Sequence, residues 1–270
     1  MRISEVLKAE IAAPKRELEA NLAEVEATLQ FFSAAMVLRP RLGAVLSWPE
    51  RPGYEHTLAQ EFMDKREASV SAFLLGSCVI CYGSLEEFMR HLVERAVRAL
   101  NSGCSDLSDI PESVLRENIF RTGQVLQTVK GGGVRKDYDY TELARALGSC
   151  SAGTVDFSLN EVCFSFSQGV MSAPNIESLL QRLSVRVDWD RFGENADIRK
   201  ICGERKTRDC SVAVQRSVSA LVNTRNVVAH TGGLDMEVRQ EDIETYIKLL
   251  PPFCSVLIAE VGRQLDAACS

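Results

Sequence analysis

Apolar residues recur every three or four positions along most of the chain, which is the spacing of one face of an α-helix. Four long helices are predicted, over residues 3–37, 57–101, 209–230 and 241–268. LRPRLG, residues 38–43, is expected to end the first of them, since proline removes a backbone donor. Matching apolar stripes predict that the 209–230 helix packs against the 57–101 helix. The pattern therefore indicates an all-α protein.

The middle of the chain is less regular. Shorter stretches have helical spacing, at residues 110–129, 141–148 and 173–187. TVDFSLNEVCFSFSQG, residues 154–169, alternates weakly and predicts at most a minor extended element. Two segments rich in Gly or Pro are predicted to be loops, at residues 47–56 and 130–140. We expect a helical bundle with a partly irregular central insertion.

Composition and charge are those of an ordinary globular protein, with 46% hydrophobic and 25% charged residues in 270. The net charge of −6 excludes a bulk positive field, so any contact with nucleic acid needs a local patch. Residues 182–225 hold ten basic and six acidic residues. Their densest run is predicted to guide an RNA backbone, or else to be a solvated loop and helix start: Arg199, Lys200, Arg205, Lys206 and Arg208.

Cysteine usage and the absence of a long apolar run predict the cellular compartment of the protein. The nine cysteines show no paired metal spacing, and we expect them to be small buried side chains in a reducing compartment. The N-terminal sequence MRISEVLKAEI has no signal-peptide core. The longest apolar stretch, AFLLGSCVICYG, is too short to span a bilayer. We therefore expect a cytoplasmic protein without a membrane partner.

One predicted helix carries a charge where its pattern calls for an apolar residue. At about 100° per residue, Arg225 lies at the centre of the apolar stripe of residues 212–230. The apolar residues within about 60° of it are Val214, Val218, Leu221, Val222, Val228 and Ala229. Such a cation must be paired or must meet water or an anion. Arg225 is therefore predicted to pair with a carboxylate, to lie at the wet edge of a helix–helix interface, or to bind an anionic ligand.

A histidine follows Arg225 by five residues, and TGG then ends the helix. Although His230 lies about 140° from Arg225 on the wheel, the helix end is expected to bring it round toward the cation. Asn226 is one turn before His230 and is predicted to orient the imidazole. A proton-transferring imidazole beside a guanidinium suits phosphodiester chemistry. No cluster of acidic residues and histidines indicates a metal site.

The spacing R-x4-H is weakly specific, because Arg51 and His56 share it within a predicted loop. RNVVAH, residues 225–230, is different, since a helix precedes it and glycines follow it closely. Here the sequence resembles the HEPN superfamily of α-helical ribonucleases and their relatives. Three further strings resemble its RiboL-PSP branch, so that the resemblance covers roughly residues 57–262: YGSLEEFMRHLVE (82–94), PNIESLLQRL (174–183) and EDIETYIKLLPPF (241–253).

The resemblance implies an all-α HEPN-like bundle that forms homodimers, with the active cleft at the dimer interface. It implies a metal-independent endoribonuclease without a cofactor, in which Arg225, Asn226 and His230 are catalytic. Attack by an RNA 2′-OH would leave a 2′,3′-cyclic phosphate and a 5′-OH. Family members act in toxin–antitoxin and anti-phage defence systems, so a neutralising antitoxin or another defence protein is a possible partner. The family often has Gly directly after the His, where this chain has Thr231.

Two further expectations complete the interpretation. Residues 1–50 are predicted to be an N-terminal helical extension to a HEPN-like domain at 51–270. Glu86, in YGSLEEF, is predicted to face inward and to hold Arg225 in place, whereas Glu87 is expected to be solvated. The alternative function is a non-catalytic HEPN module that binds RNA, a nucleotide or a partner protein through the same cleft.

Overall fold

The structure, a computed structural model, describes six ranges of the chain: residues 2–46, 66–130, 139–151, 157–166, 170–231 and 238–269. The predicted loop at 47–56 lies outside these residues, and so do residues 131–138 of the predicted loop at 130–140, whose first and last residues, Lys130 and Tyr140, belong to the flanking helices. Arg51 and His56, which share the R-x4-H spacing, are therefore also outside the described residues.

Ten α-helices and one short 3₁₀ helix, Leu107–Asp109, form the described part of the chain. The α-helices are α1 (Ile3–Leu46), α2 (Arg66–Gly103), α3 (Glu112–Lys130), α4 (Tyr140–Ser151), α5 (Glu161–Ser165), α6 (Ala173–Gln181), α7 (Trp189–Glu194), α8 (Ala196–Cys202), α9 (Thr207–Thr231) and α10 (Gln240–Ala268). No strand occurs in the described ranges, and the predicted all-α class is confirmed.

The sequence was misleading at two points. The break predicted at residues 38–43 is wrong, because α1 continues through Pro40 to Leu46. A proline removes one hydrogen bond, and a long helix can keep its bonds on both sides; α10 likewise continues through Pro251 and Pro252. The extended element predicted within residues 154–169 is also wrong for its described part, where 161–165 form α5.

Helices α1, α2 and α10 pack together around one continuous apolar core. Leu7 of α1, Leu92 of α2 and Leu257 of α10 are all buried in it. At the far ends of the chain, the Ser4 backbone N–H donates to the Asp266 carboxylate at 3.0 Å. The domain division at residue 50 stays a prediction, but the described helices on either side of it share this core.

Helix α9 packs against α2, as its apolar stripe predicts. Val214, Val218 and Leu221 of that stripe are buried in the same core. Because α9 also packs against α7 and α8, it lies between the long core helices and the short helices of residues 189–202. This placement fixes the direction in which the last turns of α9 leave the core.

Two helical stretches are long and apolar enough to cross a bilayer by length and composition alone, Ala72–Gly103 and Gln240–Ala268. In the folded chain, 50% and 61% of their most apolar windows are buried inside the protein. Core helices of a globular bundle have this property, and both stretches belong to the core described above. A cytoplasmic location stays a prediction.

A glycine permits the close contact between α7 and the first turn of α9. A Cβ atom on Gly193 would meet the Thr207 carbonyl oxygen at 2.2 Å and the Ser211 Oγ at 2.9 Å. The Ser211 hydroxyl, with one proton to donate, lies within hydrogen-bond distance of that carbonyl at 2.9 Å and of the Asp190 carboxylate at 3.1 Å. The start of α9 is therefore held by a contact that a side chain at Gly193 would separate.

We expect Gly193→Ala to destabilise the fold by about 1–3 kcal/mol, because the methyl group must push the backbone of α9 away. The matched control is Gly123→Ala in the exposed middle of α3, where a Cβ meets nothing within 4 Å. There alanine should stabilise the helix by about 0.5–1 kcal/mol. Urea unfolding followed by circular dichroism measures both changes, and equal effects of the two substitutions would contradict the close contact.

Candidate functional site

The last two described turns of α9 carry Arg225, Asn226 and His230, and the glycines predicted to end the helix lie outside the described residues. The apolar stripe is buried as far as Val222, which is 2% exposed. Beyond that residue the helix emerges from the core, so that Arg225 and Asn226 are half-buried and His230 is exposed. The cation of the stripe therefore lies at the edge of the core and not inside it.

The Arg225 guanidinium is held by an aromatic ring and a carboxamide. Its Cζ lies 5.0 Å from the centroid of the Tyr82 ring, which is the geometry of a cation–π contact. Its Nη1 donates to the Asn226 Oδ1 at 3.2 Å. Tyr82 is itself 2% exposed, and its hydroxyl accepts a hydrogen bond from the Met171 backbone N–H at 3.1 Å. A fixed ring thus sets the height and tilt of the guanidinium.

Glu86 lies one helical turn beyond Tyr82 on α2 and is half-buried. Burial raises the pKa of its carboxyl, and the nearby charge of Arg225 partly opposes that rise. Glu87 is exposed and forms an ion pair with Arg90. The structure therefore places Glu86, and not Glu87, in the electrostatic reach of Arg225, while its supporting role stays a prediction.

The five basic residues predicted to contact RNA lie at the other end of α9. Arg208 is in its first turn and His230 in its last, so that 22 residues at 1.5 Å each separate them by about 33 Å. The other four belong to α8 or to the residues that lead into α9: Arg199, Lys200, Arg205 and Lys206. Within one chain the structure does not bring this run to the Arg225 site.

The family model named RiboL-PSP-HEPN matches residues 56–262 of the sequence. The chain belongs to the RiboL-PSP-HEPN family. A comparison with curated proteins found no match, and a comparison with solved structures found none either. The match includes α2 and α9, the two helices that bring Tyr82, Glu86 and Arg225 together.

Tyr82 is the residue of this HEPN site that sequence analysis missed. An aromatic side chain in the apolar stripe of a long helix is indistinguishable from ordinary core. One signal was available, since Tyr82 precedes Glu86 by four residues and so shares its face of α2. Because Glu86 was expected to face Arg225, the Tyr82 ring on the same face of α2 could also have been expected to lie near Arg225.

Among the described residues, no group of three or more His, Cys, Asp or Glu side chains could hold a metal ion. All nine cysteines are free. Burial raises the pKa of both Cys78 and Cys81 to about 12, which keeps these thiols protonated and poorly nucleophilic.

Glu86→Gln should stabilise the folded protein at pH 7. Because burial raises the folded pKa of Glu86 above its ordinary 4.5, the unfolded chain binds fewer protons between the two values. The free energy of unfolding therefore falls as pH rises through that window. The amide side chain of the variant does not titrate, so the variant avoids this loss. Urea unfolding at pH 7 and below pH 4.5 measures the gain, which should vanish at the lower pH.

Glu87→Gln is the control for that substitution. It removes the ion pair with Arg90 from a half-exposed carboxylate, so we expect a loss of about 0.2–1 kcal/mol at pH 7. If both variants change stability in the same direction, Glu86 is not the buried member of the pair.

Proposed function

We propose that this protein is a HEPN endoribonuclease that cleaves RNA without a metal ion. The observation that carries the proposal is the accessible last part of α9, where the Arg225 guanidinium contacts the Tyr82 ring and the Asn226 carboxamide and where His230 is exposed. A fixed cation and an exposed imidazole match the two needs of phosphodiester cleavage, charge stabilisation and proton transfer. Membership of the HEPN family supports the same reaction.

The reaction breaks one bond and forms one at phosphorus. The 2′-oxygen attacks the adjacent phosphorus, its proton passes to an imidazole, and the bond to the 5′-oxygen breaks. The leaving oxygen takes a proton from a second acid, which leaves a 2′,3′-cyclic phosphate and a 5′-OH. His230 acts in proton transfer, and Arg225 stabilises the charge that develops on the phosphoryl oxygens.

Asn226 and Glu86 are proposed to hold the Arg225 guanidinium in position. The Asn226 Oδ1 occupies one guanidinium N–H, while the Glu86 carboxylate contributes an opposing charge from α2. Arg225 is thereby constrained from α9 and from α2 together, so it needs little reorganisation when a phosphate binds. Neither residue needs to touch the reacting atoms.

The working form is proposed to be a homodimer with a composite site. Cleavage uses a base for the 2′-OH and an acid for the 5′-oxygen, whereas the Arg225 site of one chain holds one histidine. A two-fold axis near the exposed end of α9 would bring two His230 side chains and two Arg225 side chains to one cleft. The edge position of Arg225, half-buried within a single chain, suits such a cleft.

The biological role is proposed to be that of a toxin or an anti-phage effector in the cytoplasm. Family membership supports this role, because HEPN proteins occur in such systems. A neutralising antitoxin or another protein of the same system would then be the partner that restrains cleavage. The alternative is a HEPN module that binds RNA, a nucleotide or a protein without cleaving, and the following assay distinguishes them.

His230→Ala should reduce the rate of RNA cleavage by about 10²–10⁴, because a proton-transfer group is lost. Arg225→Ala should abolish cleavage and also lower the melting temperature, because it leaves Tyr82 without its cation. The assay uses structured and single-stranded RNA in EDTA, with end analysis for the cyclic phosphate. His91→Ala, on α2, is the matched histidine control and should keep its activity.

Full activity of His230→Ala, in a preparation free of contaminating ribonuclease, would refute the proposed site. If the wild type binds RNA but leaves it intact in every assay, the binding module is the correct function. A loss of cleavage on EDTA addition, restored by a divalent ion, would contradict the metal-independent reaction.

A mixed dimer of one wild-type and one His230→Ala chain tests the composite site. Two affinity tags, one on each chain, allow its purification after co-expression. If the two histidines serve one reaction, the mixed dimer should lose nearly as much activity as the double variant. Retention of half the wild-type activity would mean that each chain has an independent site, and sedimentation of an active monomer would exclude the dimer.

A further inference from the structure

The outward face of α9 connects the basic run to His230. At 100° per residue, several residues lie within about 40° of His230 on the helix surface. Four of them are exposed and follow one another along the helix: Arg208, Val212, Arg216 and Asn223. We call these four residues, together with His230, the α9 ridge. Its exposed members run from the first turn of the helix to the last, with Ser219 and Asn226, which are half-buried, between them.

The ridge carries positive charge and lacks opposing carboxylates. Residues 210–231 include no Asp and no Glu. No described carboxylate forms an ion pair with Arg208 or Arg216, or with four neighbouring basic residues: Arg199, Lys200, Arg205 and Lys206. The arginines of α2 differ, since Arg90, Arg95 and Arg98 all pair with glutamates.

Acidic residues near the basic run do not cancel its positive charge. Asp197, Glu204 and Asp209 lie among its five cations, so residues 196–209 keep a net charge of +2 in a chain of −6. Free cations of this kind hold polyanions by releasing the counterions of the phosphates. The local surface is therefore suited to an anion that extends over several charges.

We propose that the α9 ridge and the basic run form a track for one RNA strand, which delivers a phosphodiester to His230. This inference rests on the proposed function and adds a substrate class to it. The track is about 33 Å long, which spans roughly ten nucleotides at about 3.4 Å per stacked step and fewer in an extended strand. The substrate is thus an RNA segment of that length, and not a dinucleotide or a free nucleotide.

RNA fits this line better than an acidic protein does. The ridge leads from free cations to the Arg225 and His230 pair, whose chemistry concerns a phosphodiester. Val212 and Asn223, between the charged positions, carry no charge that would repel a sugar–phosphate backbone. An acidic protein would use the cations but would gain nothing from ending at the imidazole.

Binding by the His230→Ala protein tests the track separately from cleavage. Fluorescence anisotropy with labelled single-stranded RNAs of 4, 12 and 20 nucleotides is the measurement. We expect affinity to rise steeply from 4 to 12 nucleotides and little beyond. Lys206→Gln with Arg208→Gln should weaken binding of the 12-mer and lower its salt slope by about 1.4, since each contact on a single strand contributes about 0.7.

Arg116→Gln with Arg145→Gln is the matched control, since it removes two exposed cations from α3 and α4. It should leave both the affinity and the salt slope unchanged, and the 4-mer should bind the Lys206/Arg208 variant and its parent alike. Arg216→Gln should weaken the 12-mer by itself, because it lies midway along the ridge.

The outcomes separate the two proposals. Equal loss in the Lys206/Arg208 variant and the control, or equal binding of the 4-mer and the 12-mer, would overturn the track. Length-dependent binding with no cleavage by the wild type would refute the nuclease and support the track. Efficient cleavage of a dinucleotide by the wild type would support the nuclease and overturn the track.

Discussion

A guanidinium ion that cannot reach bulk water freely must have its charge compensated, and this requirement organises the described site around Arg225. The guanidinium contacts a ring face on α2 and a carboxamide on α9, and Glu86 of α2 lies within its electrostatic reach. The Tyr82 ring and the Glu86 carboxyl lie near Arg225 because α9 packs against α2, so the core of the protein sets the position of this cation. The Tyr82 hydroxyl, which accepts from the Met171 backbone, extends that dependence to the segment before α6.

Long helices could be predicted because each has a continuous apolar stripe to bury, and such a stripe is visible in sequence. The shortest helices, which have five to seven residues, could not be predicted in this way. Helices α7 and α8 have only six and seven residues, too few to establish a period, and they begin where Asp188 and Asn195 accept backbone N–H groups. The helix-breaking effect of Pro40 was overestimated, because a local rule for proline does not take the rest of a long helix into account.

For the site, the sequence revealed what was unusual and hid what was ordinary. Arg225 was visible because a cation in an apolar stripe is an anomaly, whereas Tyr82 was hidden because a tyrosine in such a stripe is not. The distance between the basic run and His230 could be predicted from the length of α9 alone, at 1.5 Å per residue. The structure was needed to show that Arg208 and Arg216 share one exposed face of α9 with His230, since it shows which residues of the helix are accessible.

The contact between the two ends of the described chain has a consequence for biosynthesis. Ser4 bonds to Asp266, which is 262 positions later, and α1 packs against α10. Contacts so distant in sequence form slowly, and α1 leaves the ribosome long before α10 exists to cover it. A nascent chain thus exposes the apolar side of α1 that α10 later buries, and exposed apolar surface of this kind is prone to aggregate. The bundle that supports α2, and with it the seat of Arg225, closes only after α10 has been synthesised.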